Sequence, residues 1–413
     1  MHRGSREVDV AVIGGGPAGL AAAAAAAQVG ADVLLIDRNP QLGGILNQCI
    51  HDGFGLHAFG EVLTGPEFAD RYIRQVKQAG VRIQQQTLVT QLSPEGELIC
   101  TRSGCRERVH AHATILAMGC RERTRGMIRI PGTRPAGVYT AGTAQWLTNI
   151  ANLRIGRRVV ILGSGDIGLI MARRLTWEGM DVAAVIEKLP YPSGLPRNIN
   201  QCLLDYEIPL YLSHSVTCIH GKHRLERVTV SKFDNQGKAI PGSEFELACD
   251  TLLLSVGLIP ENELSRHAGV SLDGTTCGAS VGDSYMTDVP GIFSCGNVLH
   301  IHDLADWAAE EGGRAGLAAA RYAESGGEPE SKCVSIQAGE GVRYVVPQRV
   351  RCSEDRVLLS VRVTAPRGET ALRAVSNGKT LGSLCLKKAH PATMEQFTVG
   401  LEGLASDMEV RCE

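Results

Sequence analysis

The sequence predicts an α/β protein: two doubly wound, parallel-sheet units built to one plan, then a small β-rich domain. Three observations predict it. First, a strand, a glycine turn, a helix and a second strand ending in an acid occur twice, in "VDVAVIGGGPAGLAAAAAAAQVGADVLLIDR" and "RRVVILGSGDIGLIMARRLTWEGMDVAAVIEK". Second, each copy later closes on an apolar strand with a terminal glycine, "ATILAMG" at Gly119 and "TLLLSVG" at Gly257. This is an internal duplication of architecture. Third, "VRYVVPQ", "RVLLSVRV" and "ALRAVSNGKTLGSLCL" read as strands, with Asn377-Gly378 as a hairpin turn.

Taken in order, Val8–Ile13 is an apolar run of the kind a buried parallel strand needs. Gly14, Gly16 and Gly19 follow in a GxGxxG pattern. The first permits a tight turn, the second lets backbone approach a pyrophosphate, and the third lets helix pack on strand. Pro17 and Ala18 open that helix, whose N-terminus offers unpaired N–H groups and a positive dipole end. The next strand ends at Asp37, placed to accept hydrogen bonds from a ribose. Both units are therefore Rossmann-like. "RIQQQTLVTQL" and "GELICTRSG" are strand-like segments before the first closing strand.

The second turn carries Gly163, Gly165, Asp166, Ile167 and Gly168, and its second strand ends at Glu187. An acid there bonds the free 2′-hydroxyl of NAD and repels the 2′-phosphate of NADP. Asp166 puts a negative charge into a turn that should face pyrophosphate. The second pocket is therefore either a working NAD(H) site or an idle product of duplication. "RVTVSKFDNQGKAI" and "EFELACD" read as parts of a three-stranded meander. "VPGIFSCGNVLHIHDLADWAAEEGGRAGLAAARYAES" reads as strand, turn and long helix, with Asp303 as N-cap, before a break at "GGEPESK".

Bulk properties bound the function. With 413 residues, 44% apolar, the chain is long enough for two to four domains with large cores. The formal charge of −2 gives no broad basic field for nucleic acid or an anionic membrane. The 13 cysteines form no CxxC and no zinc or iron–sulfur spacing, so reduced thiols in a cytoplasmic protein are expected, with no metal site. The first strand begins within ten residues, which leaves no room for a signal peptide, and no apolar run is long enough to span a bilayer.

Two such units with "MTDVPGIFSCGN" after the second resemble the two-dinucleotide-binding-domain flavoproteins, the glutathione, thioredoxin and ferredoxin reductase relatives. The resemblance covers roughly residues 8–325. It implies FAD on the first unit, residues 1–120 and 258–330, and NAD(H) on an inserted unit, 121–257, with 333–413 as a separate β domain. It also implies that Arg38, Gly44, Ile45, Ala117 at the crossover, Gly119 and Gly296 border the FAD. Val89 matches a position whose backbone meets the adenine. Asn297 stands where the family usually has an aspartate for the ribityl and phosphate region. "GCRERTRGMIRIPGTRPAGVYTAGTAQ" and "RYVVPQ" are similar to one branch: bacterial FAD-dependent dehydrogenase subunits like those of hydrogen cyanide synthase, opine oxidase and dye-linked proline dehydrogenase.

In the disulfide reductases of the family the segment after the ribose acid is similar to GGxCxxxxC. Aligned on Gly43-Gly44, its cysteine positions fall on Leu46 and His51. Cys49 is out of register, so an internal redox disulfide is not expected. His51 becomes the candidate proton acceptor at the flavin, or else a structural histidine. Cys49 is read as packing or as a lone reactive thiol. Of the pair in "HIH", His302 is favoured to reach the substrate, with His300 facing away. Zinc at these two histidines lacks a third ligand evident in the sequence. Arg121, Arg123 and Arg125 form either a solvated strip or an anion site. The implied function is an FAD-dependent oxidoreductase that moves a hydride between a small hydroxy or amino acid, or NAD(H), and FAD. The alternative is an electron-transfer subunit serving a partner dehydrogenase or iron–sulfur protein. A homo- or hetero-oligomer is expected.

Overall fold

A computed structural model describes residues 6–327, 332–402, 404 and 406–413; the middle of the expected break, 328–331, lies outside them. The chain divides into two compact units, one of residues 1–120 and 260–413 and one of residues 121–259.

The first unit is built on a seven-stranded sheet. Arg82–Gln84, Val33–Ile36, Arg6–Ile13 and Cys105–Leu116 lie side by side in parallel, and Ile292–Ser294 adds to the last of these. Glu97–Arg102 and Leu88–Leu92 extend the sheet as an antiparallel ribbon. Val10, Val12, Leu34, Leu35 and Ile115 are fully buried, as strands covered on both faces require.

The helix Pro17–Gln28 is alanine-rich because it is enclosed nearly all round rather than amphipathic. The long helix Ala305–Ser325 lies directly on it. A Cβ on Gly312 would stand 2.1 Å from the Ala18 carbonyl oxygen, and one on Gly316 would stand 2.2 Å from that of Ala22. Small residues on both helices therefore set their separation.

The second unit repeats the plan. Val138–Thr140, Thr251–Leu254, Arg158–Leu162, Asp181–Glu187 and Leu210–Leu212 form a parallel sheet. The antiparallel meander His214–Gly221, Leu225–Lys232 and Phe245–Ala248 packs its own apolar cluster against it.

Residues from Cys333 onward form a five-stranded and a three-stranded sheet around a core that includes Leu359, Val361, Leu372, Phe397 and Val410. The hairpin Thr370–Ser376 to Lys379–Leu386 turns at Asn377 and Gly378, both with positive φ. This β segment belongs to the first unit and is bonded into it. Arg351 meets Asp283 in a part-buried ion pair of 2.8 Å. Gln348 exchanges bonds with both backbone groups of Val281. Arg362 reaches the Ile301 carbonyl and Asp303. Among the described residues no helix is long and apolar enough to cross a membrane.

Candidate functional site

Three separate chain segments meet at the N-terminus of the helix Pro17–Gln28. Gly14 has φ +108°, and a Cβ there would strike the Ala117 carbonyl oxygen at 2.4 Å. Gly19 stands against Gly14 itself, so turn, helix and closing strand lock together. Gly44, also left-handed at φ +57°, approaches Gly16: its Cβ would lie 3.1 Å from that residue's Cα. Gly296, with φ +72°, abuts Ala18. At Gly16 a Cβ would meet nothing within 4 Å. The helix has no side-chain cap and no acid in its first turn. Its first N–H groups therefore have no side-chain acceptor, and a diphosphate at Gly16 would meet donors and a favourable dipole. The turn fits a dinucleotide.

Asp37 is buried beside this turn. One oxygen accepts from the Gly15 amide and the other from that of Asn39, both at 2.6 Å. The Asp37 carbonyl accepts from Thr87, which brings the strand carrying Val89 alongside. Gly15, which the motif reading passed over, is the residue that aims the acid. Arg38 and Ile45 sit on the surface, Arg38 in a long 3.4 Å pair with Glu261.

The second turn reproduces these contacts atom for atom, then adds more. Ser164 and Leu189 amides donate to Glu187 as Gly15 and Asn39 do to Asp37. The hydroxyls of Ser164 and Ser193 also donate to Glu187, so this buried carboxylate has four internal donors. Gly163 stands against the Ser255 carbonyl as Gly14 does against Ala117. Gly165 has Ser255 as its nearest neighbour, and Gly168 donates its amide to the Ser255 hydroxyl, a cap that alanine at 117 cannot supply. Asp166 turns toward Leu195 and Asn198 and accepts from both. Ile167 follows it in the helix's first turn. The opposing charge is thus drawn aside by the loop that follows Glu187. Of the arginine strip, Arg125 is engaged by the carbonyls of Ile130, Gly132 and Thr133.

The segment that opens after Gly44 is a 3-10 turn, Gly44–Gln48, followed by a short ribbon of Asp52–Phe54 with Leu63–Thr64. Cys49 is buried, its thiol donating to the Ile45 carbonyl at 3.3 Å. His51 is half-exposed; its Nδ1 lies 2.9 Å from the Asp52 carbonyl and donates to it. Its ring packs on Phe54 at 5.1 Å. The rest of the loop is tied to the long helix by Asp306, which accepts from the amides of Gly55, His57 and Ala58.

The turn after Gly296 differs from expectation. Asp303 does not cap the helix, which begins at Ala305; its carboxylate is drawn instead to Arg362 and the Met394 amide. His300 and His302 do not diverge. Their rings lie 4.3 Å apart beside Glu311, and all three side chains are at most 2% exposed. Burial pushes the His300 imidazole below its ordinary range against the pull of Glu311. Burial would raise the Glu311 carboxyl, but the two histidines outweigh it and hold that carboxyl far below the usual range. Asn297 accepts from the His302 amide and donates to the Cys120 sulfur at 3.7 Å. The two candidate histidines thus belong to different turns, His51 packed on Phe54 and His302 on His300. Sequence reasoning missed Glu311, Asp306 and Gly15; the nine-residue step from His302 to Glu311 across a turn and into a helix is no recognisable spacing.

A family model described as pyridine nucleotide-disulphide oxidoreductase matches residues 8–312. An opine oxidase subunit of Agrobacterium tumefaciens is 26% identical over 279 residues, covering 64% of this chain and 55% of that protein. Hydrogen cyanide synthase subunit HcnB of Pseudomonas protegens is 26% identical over 334 residues, covering 76% and 68%. The chain thus spans about half to two-thirds of these relatives' length. Among solved structures, thioredoxin reductase of T. acidophilum aligns with a TM-score of 0.63 at 23% identity, over 76% of this chain and 98% of that one. That likeness establishes the two-unit fold.

Proposed function

The chain belongs to the pyridine nucleotide-disulphide oxidoreductase family, whose members bind FAD and use NAD(P)H, and from that membership we propose an FAD-dependent oxidoreductase that works without an internal redox disulfide on a small hydroxy or amino acid, or on NAD(H). The observation that carries this reading is the open space at Gly16, bordered by Gly44 and Gly296 at an uncapped helix N-terminus. FAD, when bound, supplies two-electron chemistry by accepting or returning a hydride.

The chain's own residues do the rest. Gly14, Gly16, Pro17, Ala18 and Gly19 hold the diphosphate, and Asp37 and the backbone near Val89 hold the adenosine end. Ala117, Gly119, Gly296 and Asn297 border the remainder. Gly163, Gly165, Ile167, Gly168 and Glu187 form the nicotinamide-dinucleotide turn, with Asp166 anchoring its loop. His51, held by its Nδ1 bond to the Asp52 carbonyl, is the residue we assign to accept a substrate proton. Cys49 packs the turn.

Purified protein should be yellow and release FAD on denaturation; colourless protein that cannot be reconstituted would sink the reading. Cys49→Ser should leave flavin reduction nearly unchanged. His51→Ala should slow reduction by an organic substrate by roughly 100-fold, the scale of a lost general base, and spare reduction by NADH. Loss of turnover in Cys49→Ser alone would assign the chemistry to the thiol. Two of the relatives are named as subunits, which favours a second reading for the whole assembly: electrons pass on to a partner chain. Flavin inert to small molecules but reduced by a co-purifying protein would support it.

A further inference from the structure

We propose that His300, His302 and Glu311 form a binding site for one divalent transition-metal ion of the zinc class. The sequence offered two histidines and no third ligand; the fold brings Glu311 of the long helix to them. The donor atoms of the three lie within 4.8 Å of one another.

The position of one proton decides the chemistry. The Asn297 side-chain oxygen accepts from the His302 backbone N–H at 3.0 Å, so it is the oxygen, not the nitrogen, that faces this histidine. His302 Nδ1 is 3.3 Å from the same oxygen and must carry its proton there. His302 Nε2 is then the ring atom left for a further partner. It points at a carboxylate oxygen of Glu311 3.5 Å away, and it is buried with no hydrogen-bond partner among the described residues.

A buried ring nitrogen left without a hydrogen bond and facing a carboxylate is a costly arrangement unless a cation, a metal ion or a proton, lies between them. Two ligands of a tetrahedral ion held at ~2.0–2.1 Å stand about 3.3–3.4 Å apart, close to the spacing seen. His300 Nε2 lies 2.8 Å from the same Glu311 oxygen and supplies the third donor; when the ion enters, its ring proton shifts to Nδ1, which has no hydrogen-bond partner among the described residues, and that contact opens.

The supporting shell is in place as well. Gly296 N–H holds the second oxygen of Glu311 at 2.7 Å, and Asn297 orients His302. Arg362, the nearby cation, is paired with Asp303, which leaves the charge of Glu311 to the site. Two imidazoles and one carboxylate are a donor set that zinc-class ions take in preference to calcium or magnesium.

The competing occupant is a proton on His302, giving a buried imidazolium–carboxylate pair, and the test separates the two. Full-length protein, with its flavin retained, is stripped by a chelator and titrated with Co(II), then with Zn(II). The site predicts about one Co(II) per chain with the visible bands of a protein-bound ion and displacement by one Zn(II). Glu311→Gln and His302→Gln should each weaken binding by at least about 100-fold, and Asn297→Leu by about 10- to 100-fold through lost orientation. Circular dichroism and flavin absorbance check that the variants fold. If His302→Gln does not fold, the wild-type titration and Glu311→Gln still decide. Wild-type protein that takes up neither ion stoichiometrically at micromolar concentration, or Glu311→Gln that binds as tightly as wild type, overturns the proposal.

Discussion

Replacing Asp306 by alanine tests how the His51 segment is held. The Asp306 side chain is buried in the first turn of the long helix. One oxygen accepts from Gly55 N at 3.1 Å, the other from His57 N at 3.1 Å and Ala58 N at 3.0 Å. Of these donors only Gly55 is buried, so the other two amides regain water when the carboxylate is removed. A bond to a charged acceptor is worth roughly 1.5–3 kcal/mol, and a stranded buried donor costs about 1–3 kcal/mol. One full loss and two partial ones come to about 3 kcal/mol of local stability, because His57 keeps its stack on Trp307 at 4.6 Å. At 1.4 kcal/mol per decade this is an exchange rate at the Gly55 amide about 100-fold faster. Native-state hydrogen exchange reads it directly, with the amides of Leu34 and Leu35 in the sheet core as the unaffected control. Asp306→Asn keeps one acceptor and should fall between. Exchange at Gly55 within threefold of wild type in Asp306→Ala would refute the claim that this carboxylate carries the loop.

Three further outcomes are expected. NADH should reduce the bound flavin at least about tenfold faster than NADPH in stopped flow, because Glu187 ends the second strand; equal rates would contradict this, and no reduction by either would mark the second pocket as idle. Arg362→Met should lower thermal stability by several degrees and perturb the spectrum of the flavin, since its guanidinium bonds Tyr344, Ile301, Asp303, Pro391 and Ala392 together; an unchanged melting curve would remove it as the tie between the β segment and the histidine turn. Burial opposes ionisation of Asp250, but the amides of Arg157 and Arg158 and the Thr251 hydroxyl prevail and hold its carboxyl below its ordinary value of 3.8. The stabilisation is present above that value and fades as pH falls through the lower folded one, so the melting-temperature gap between wild type and Asp250→Asn should be full at pH 7 and shrink below pH ~4; a gap independent of pH would refute it.

Much of the proposed site's geometry was legible because a glycine turn between strand and helix is a local device. Gly14, Gly16, Gly19 and Asp37 act within one βαβ unit, and so do their counterparts in the second unit. Each residue type is demanded by backbone geometry a few residues away. The missing cysteine pair was legible for the same reason, since register along one segment decides it. Asp166 shows the limit. Its charge looked opposed to a diphosphate, but where the side chain points depends on Leu195 and Asn198, about thirty residues on.

The sequence by itself determined the duplicated α/β plan, the two glycine turns and the terminal β strands, because periodicity and glycine placement encode local structure directly. Only the tertiary structure decided that Glu311 meets two histidines, that Asp306 ties down the loop beyond His51, and that Asp303 serves Arg362 rather than the helix. Those pairings join segments up to 251 residues apart. They depend on how a turn, a helix and distant loops and strands pack together, and one sequence carries no local signature of which side chains that packing will bring together.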